Sequence, residues 1–125
     1  MRSFKTSLGA DEAIAKLQAG IEATGTRQVA HINGQANALK IGKEVPADQI
    51  LEVFRPDFAI RVWEACKPAG HDIPLRVHVY EDNGETFVAC RMPTEVFEPF
   101  GSDALMEIGE ELDEIFSKIL SYAEA

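Results

Sequence analysis

The sequence predicts a single α+β domain in which helices cover one face of an antiparallel sheet. Two amphipathic helical segments, Ala10–Ala23 and Asp103–Tyr122, stand near the two ends of the chain. Between them, short alternating segments predict strands, two of which flank the turn dipeptide Asn83-Gly84. A chain of 125 residues is long enough to bury a core of its own as one domain. This order of strands and helices is typical of the α+β class.

The first third of the chain predicts two strands and two helices. Arg2–Ser7 alternates as a first strand and Arg27–Ile32 as a second. The helix between them has one apolar stripe, and Gly25 suits the left-handed residue that follows a helix end. A short helix over Gly34–Ile41 is expected to close at Gly42. The apolar stripe of the first helix consists of Ala10, Ala13, Ile14, Leu17 and Ile21.

The middle of the chain predicts a strand, a helix and a loop. Gln49–Phe54 is the third strand, and we expect Pro56 to end it. Asp57 then suits the cap of a helix over Phe58–Cys66. Lys67–Gly70 follows as a loop. The apolar face of this helix is predicted to contain Ala59, Val62, Trp63 and Cys66.

Ile73–Met92 predicts a β-hairpin whose register follows from its turn. Asn83 and Gly84 both accept positive φ, as a type I′ turn requires. Tyr80 should then face Phe87, and Arg76 should face Arg91. One face of the hairpin is apolar and should lie on the core: Leu75, Val77, Val79, Val88, Cys90 and Met92. The other is basic and aromatic: Arg76, His78, Tyr80, Phe87, Ala89 and Arg91.

The last quarter of the chain predicts a connector and a long helix. Pro93–Gly101 has no clear period, and Ser102 suits the cap of the final helix. The apolar stripe of that helix should face the core, and its acidic side should face solvent. The stripe is Leu105, Ile108, Leu112, Ile115, Phe116, Ile119 and Leu120; the acidic side is Glu107, Glu110, Glu111, Asp113 and Glu114.

Composition and spacing exclude several classes of function. A net charge of −9 is unsuited to nucleic acid and to anionic membranes, which both require Lys and Arg. Cys66 and Cys90 form no CxxC pattern, which favours free thiols in the cytoplasm. The three histidines lack the close spacing of metal ligands. We therefore expect no metal, no cofactor and no catalytic residue of a recognisable kind.

Several short motifs together resemble the domain of unknown function 302 family. They are Ile73-Pro74-Leu75-Arg76-Val77 followed by Val79-Tyr80-Glu81-Asp82, with Ala36-Asn37-Ala38, Pro46-Ala47-Asp48-Gln49 and Phe54-Arg55-Pro56 upstream. The resemblance extends from Phe4 to Leu120 and implies one domain of this type over residues 1–125. It implies a TATA-binding-protein-like β-α-β(4)-α fold with short helical insertions, and a homodimer. It implies no activity.

Arg76, His78, Tyr80 and Arg91 are the main candidates for a ligand site. Two arginines placed opposite each other repel, so an anion should offset the repulsion. That anion could come from a ligand carboxylate or phosphate, from Glu52 or from a partner subunit. The alternatives are a dimer interface or a solvated sheet face. Asn37 is a further candidate, either as a ligand-binding amide or as a tie for the loop before Gly42.

The function that these observations favour is a cytoplasmic homodimer that binds a small anionic or amphipathic molecule. The alternative is an enzyme or redox accessory protein whose site forms at the dimer interface. The discriminating observation is whether a concave pocket with a deep, water-poor floor brings Arg76, His78, Tyr80 and Asn37 together. A flat patch covered by a second subunit would favour association alone.

Overall fold

A computed structural model describes residues 1–125 and contains a five-stranded sheet and five α-helices. Two 3₁₀ segments, Lys67–Asp72 and Glu98–Phe100, lie between the longer elements. The α+β prediction is confirmed. The elements in chain order are β1 Arg2–Thr6, α1 Ala10–Ala23, β2 Arg27–Asn33, α2 Gly34–Leu39, β3 Asp48–Phe54, α3 Pro56–Ala65, β4 Leu75–Asp82, β5 Glu85–Cys90, α4 Pro93–Phe97 and α5 Asp103–Ser121.

The sheet is antiparallel throughout and its strands lie in the order β1-β5-β4-β3-β2. The strands from β2 to β5 follow one another in space as they do in the chain. β1 is the exception, because it pairs with the last strand and sets Arg2 opposite Cys90. The result is the β-α-β(4)-α arrangement that the family resemblance implies, with α2 and α3 as insertions.

The core lies between one face of the sheet and the two long helices. Strand side chains alternate between the two faces, so β3, β4 and β5 each send every second residue toward α1 and α5. The predicted stripe of α1 is fully buried, as is most of the α5 stripe. The two helices also pack on each other, with Gly20 of α1 against Ile119 of α5.

The hairpin has the predicted register. Tyr80 pairs with Phe87 and His78 with Ala89, while Asn83 and Gly84 have φ values of +51° and +78°. The hydrogen-bonded ladder ends at His78 and Ala89, so the expected pairing of Arg76 with Arg91 lies beyond it. The six residues predicted on the core face are all buried.

Helical structure appears at three places where the sequence predicted a loop, a cap or a connector. Pro56 begins α3 instead of preceding it, and Asp57 accepts a hydrogen bond from Arg55 Nε at 2.8 Å rather than capping the helix. Pro93 begins α4 within the predicted connector. Lys67–Gly70, predicted as a loop, belongs to a 3₁₀ helix over Lys67–Asp72 with Pro68 in its first turn. Proline is tolerated at the first turn of a helix because its missing N–H has no partner there.

Helix α3 also buries a different set of residues than its pattern predicted. Ala59 and Val62 are buried as expected, together with Phe58. Trp63 is 45% exposed and lies beside Gly70 of the 3₁₀ segment. The side of α3 that contains Trp63 therefore contacts the 3₁₀ segment and not the hydrophobic core.

Candidate functional site

The face of the sheet opposite α1 and α5, called the open face below, contains the predicted candidate residues. Alternation along β4 places Arg76, His78 and Tyr80 on it, and β5 adds Phe87 and Ala89. In β3, the cross-strand neighbours of the first three are Glu52, Ile50 and Asp48 respectively. No long helix packs on this face, so its side chains remain half-buried or exposed, except for the small and buried Ala89.

A concavity of about 480 Å³ lies on the open face where β4 begins. Arg76, His78 and Arg91 line it, so three of the five predicted residues meet at one site. The remaining walls come from β3, from the 3₁₀ segment and from α4, through Ile50, Glu52, His71, Asp72 and Val96. The site is therefore built from several elements and is not a flat patch.

Neither arginine of this concavity forms an ion pair. The ion pairs of the chain join other groups, namely Arg55 with Asp57, Arg61 with Glu111, Lys5 with Glu85, His78 with Asp48 and the Met1 amino group with Glu95. Glu52 is the register partner of Arg76 but forms no ion pair with it. Two free guanidinium groups, each with a planar set of donors, thus line one small space.

His78 is oriented by a carboxylate on one side and by an aromatic ring on the other. Its Nε2 lies 3.1 Å from Asp48 Oδ1. Because a carboxylate only accepts, Nε2 donates this hydrogen bond and a neutral imidazole then has Nδ1 free as an acceptor. Its ring centroid is 4.8 Å from that of Tyr80, whose own ring stacks on Phe87 at 5.4 Å.

Tyr80 and Asn37 stand outside the concavity. Tyr80 adjoins it through the contact with His78. Asn37 is exposed on α2, does not line the concavity and makes no side-chain hydrogen bond. The loop before Gly42, which Asn37 was a candidate to fasten, is held by backbone hydrogen bonds that the Ile41 and Gly42 amides donate to carbonyls of α2.

Comparison with known proteins identifies a family and a solved structure with the same fold. A family model described as Domain of unknown function DUF302 matches residues 2–123. The chain belongs to this family. Its fold is similar to that of the uncharacterized conserved protein DUF302 from Bacillus stearothermophilus, a crystal structure that aligns with a TM-score of 0.89 at 23% identity over 98% of this chain and 97% of that chain. None of the curated proteins compared with the chain matched it.

The other histidines of this DUF302 domain do not assemble a metal site. His31 lies on the core side of β2, where its Nε2 is 2.7 Å from Gln49 Oε1, so the β3 strand separates it from His78. The buried Gln49 donates in turn to Asp11 Oδ1 at 2.9 Å. No group of three or more histidine, cysteine, aspartate or glutamate side chains is placed to hold a metal ion.

The two cysteines of the DUF302 chain are free and differ in depth. Cys90 is 2% exposed, and burial raises the pKa of its thiol to about 12. A thiol in that state is a poor nucleophile because the thiolate is the reactive form. Cys66 is half-buried at the end of α3.

None of the helices combines the length and the apolar character that a membrane-spanning helix needs.

Sequence reasoning missed the contribution of His71, Asp72 and Val96 to the concavity of this DUF302 domain. His71 and Asp72 belong to the 3₁₀ segment, which the sequence assigned in part to a loop. Their position three and four residues before β4 was the one available sign, because a segment joined to a strand must lie at its end. Val96 stood in the predicted connector and offered no such sign.

Proposed function

We propose that this DUF302 domain binds one small amphipathic anion in the concavity on the open face. The observation that supports it is the pair of free guanidinium groups, Arg76 and Arg91, in one space on a chain of net charge −9. Guanidinium groups bind carboxylates and phosphates through paired, charge-assisted hydrogen bonds. His78 adds a ring nitrogen to the same wall.

The walls favour a small and partly apolar ligand. Ile50, Pro74 and Val96 offer apolar surface next to the arginines. Glu52 and Asp72 line the same space and limit its positive charge. That balance favours a single acid group over a polyanion such as nucleic acid, whose binding needs many uncompensated cations.

The test compares anions on the wild type and on arginine variants by calorimetric titration and thermal unfolding. Inorganic phosphate, acetate and hexanoate are the probes, and hexanoate should bind most tightly. At ten times its Kd, a probe should raise the free energy of unfolding by about 1.4 kcal/mol. Arg76→Ala and Arg91→Ala should each weaken binding about tenfold or more, because each removes about 1.5–3 kcal/mol of charged hydrogen bonding.

Arg27→Ala is the matched control, since Arg27 is an exposed arginine of β2 that does not line the concavity. Because Arg76 and Arg91 are also exposed, all three variants should keep their stability within about 1 kcal/mol of the wild type. Equal weakening by all three variants, or no binding of any probe, would contradict the proposal.

We further propose that two copies associate through the part of the open face that lies away from the concavity. The supporting observation is its apolar surface: Ile32 is 41% exposed, and Tyr80, Phe87 and Phe54 are only half-buried. Aromatic surface of this kind is enriched at interfaces. The cytoplasm is the proposed location, since free thiols suit a reducing compartment.

An enzyme or redox accessory role at such an interface has less support. The buried Cys90, with its raised pKa, suits neither nucleophilic nor redox chemistry. The His78–Asp48 pair is the one arrangement on the open face that resembles a proton-transfer pair. No nucleophilic side chain makes a hydrogen bond with it, so ligand binding is the better-supported proposal.

A further inference from the structure

Three aromatic rings form a continuous row on the open face and end at the concavity. The His78 and Tyr80 rings are 4.8 Å apart and tilted by 30°, and the Tyr80 and Phe87 rings are 5.4 Å apart and tilted by 20°. The Tyr80 and Phe87 rings are therefore stacked, an arrangement that aromatic pairs favour, and the His78 ring is tilted against that of Tyr80. His78 and Phe87 form the two ends of this row.

One of those ends is the imidazole of His78. Tyr80 covers one face of this ring from the position two residues further along β4. The opposite face points the other way along the strand, toward Arg76, which lies about 7 Å back at two residues' spacing. His78 and Arg76 both line the concavity. The imidazole thus stands between Tyr80 and the part of the concavity that Arg76 lines.

From this placement, and on the basis of the function proposed above, we infer that the ligand is a planar aromatic acid. Its ring extends the row by stacking on His78, and its acid group reaches Arg76 and Arg91. The hydrogen bond from His78 Nε2 to Asp48 fixes the ring plane, so little rotational freedom is lost on stacking. Ile50, the cross-strand neighbour of His78, contacts the edge of the ligand from the side.

The same chemistry could come from an aromatic carboxylate or from a nucleoside monophosphate, since both join a planar ring to an anion. Two matched pairs of probes separate these sources. Benzoate is compared with cyclohexanecarboxylate, which has a similar size and charge but no aromatic face. Adenosine monophosphate is compared with ribose 5-phosphate, which lacks the base. A preference in the first pair supports a carboxylate ligand, and one in the second supports a phosphate ligand.

The wild type should bind the aromatic member of one pair about two- to tenfold more tightly, the ratio expected from one ring–ring contact. His78→Asn keeps an N–H that can donate to Asp48 but has no ring, and it should bring the ratio close to one. Arg76→Ala should weaken both members equally. His31→Asn, on the other side of the sheet, is the matched control and should leave the ratio unchanged.

A proton NMR spectrum gives a second reading that does not depend on a variant. The carbon-bound ring protons of His78 should move upfield when an aromatic probe stacks on them, and should not move with its non-aromatic counterpart. A wild-type ratio of one in both pairs would overturn this inference while leaving anion binding at Arg76 intact. Failure of all four probes to bind would overturn the proposed function as well.

Discussion

Cys90 and Arg91 are neighbours in the chain with opposite surroundings. Cys90 ends β5 on the core side and is 2% exposed, whereas Arg91 is exposed and lines the concavity. The pleat of a strand separates adjacent side chains in this way. For Cys90 the chemical result is a thiol whose pKa lies near 12, with burial as the largest cause.

The raised pKa of Cys90 predicts that stability falls at alkaline pH. In the unfolded chain this thiol ionises near its ordinary value of 9.0, whereas in the folded chain it stays protonated up to about 12. Its contribution is therefore fully present below pH 9 and is lost as pH rises above it. Between pH 8 and 10 the free energy of unfolding should fall by about 1.4 kcal/mol from this group.

Urea unfolding at pH 8 and pH 10 measures this fall. Cys90→Ala should lower stability at both pH values but show a fall about 1.4 kcal/mol smaller than the wild type. Cys66→Ala, which changes a half-buried thiol, is the control and should keep the wild-type fall. The same pH dependence in Cys90→Ala and the wild type would show that the Cys90 thiol is not held neutral.

At the residue scale, the sequence predicted the positions that strand alternation determines. It missed the positions that depend on how the segments between strands pack against the sheet. The Asn83-Gly84 turn and the pattern around it were enough to place Arg76, His78 and Tyr80 on one face. Asn37 was grouped with them through its motif alone, and the structure puts it on α2, away from the concavity. His71 lines the concavity because it lies in a short 3₁₀ helix, and no hydrophobic periodicity in the sequence predicts that helix.

Four helical segments begin where the sequence predicted a strand end, a loop or a connector, and each contains a proline in its first turn. Pro56, Pro68, Pro93 and Pro99 all occupy such positions. Proline was interpreted as the end of a strand or as part of a loop, yet it also suits the first turn of a helix. The choice between these roles depends on what packs behind the segment, as Phe97 of α4 is fully buried against the core.

The packing of α1 on α5 depends on a position without a side chain. A Cβ at Gly20 would lie 3.1 Å from the Cα and carbonyl oxygen of Ile119 and 2.9 Å from Cδ1 of Tyr122. In an exposed helix, replacing glycine by alanine stabilises by about 1 kcal/mol. Here the forced separation of the two helices should outweigh that gain, since overpacking costs about 1–3 kcal/mol.

Gly20→Ala is therefore expected to lower the free energy of unfolding by about 1 kcal/mol in urea titration. Ala19→Gly, at the exposed neighbouring position of α1, is the control for helix propensity and should cost about 1 kcal/mol. A Gly20→Ala variant more stable than the wild type would mean that α1 and α5 have room to move apart.

At the scale of the whole molecule, the fold class followed from the residues but the strand order did not. Periodicity predicted most elements, and the two amphipathic helices had to share one face of the sheet to bury their stripes. The pairing of β1 with β5 joins distant parts of the chain, and no local pattern indicates it. The family resemblance implied the β-α-β(4)-α order of the elements along the chain, which does not state which strands pair.

Association of two copies is also a property of the whole molecule, and Tyr80→Asp tests it. A carboxylate in the middle of the aromatic surface should be costly to bury, because it would have no partner across the interface. We expect the wild type to sediment as a dimer at micromolar concentration and Tyr80→Asp as a monomer. Lys16→Asp introduces a carboxylate at an exposed position of α1, on the other side of the sheet from Tyr80, and is the control that should remain dimeric.

A wild type that sediments as a monomer would contradict the proposed dimer, and a dimeric Tyr80→Asp would place the interface elsewhere. Tyr80 does not line the concavity. The sedimentation result therefore does not depend on whether an anion binds.

The position of β1 beside β5 has a consequence for how the protein is made. A ribosome releases β1 early, but its only partner strand is completed much later, at Cys90. At the usual rate of translation, β1 therefore remains without its partner strand for on the order of ten seconds. During that time β2, β3 and β4 can pair in the order in which they emerge, each with the strand before it. The first strand to be synthesised is the last that can join.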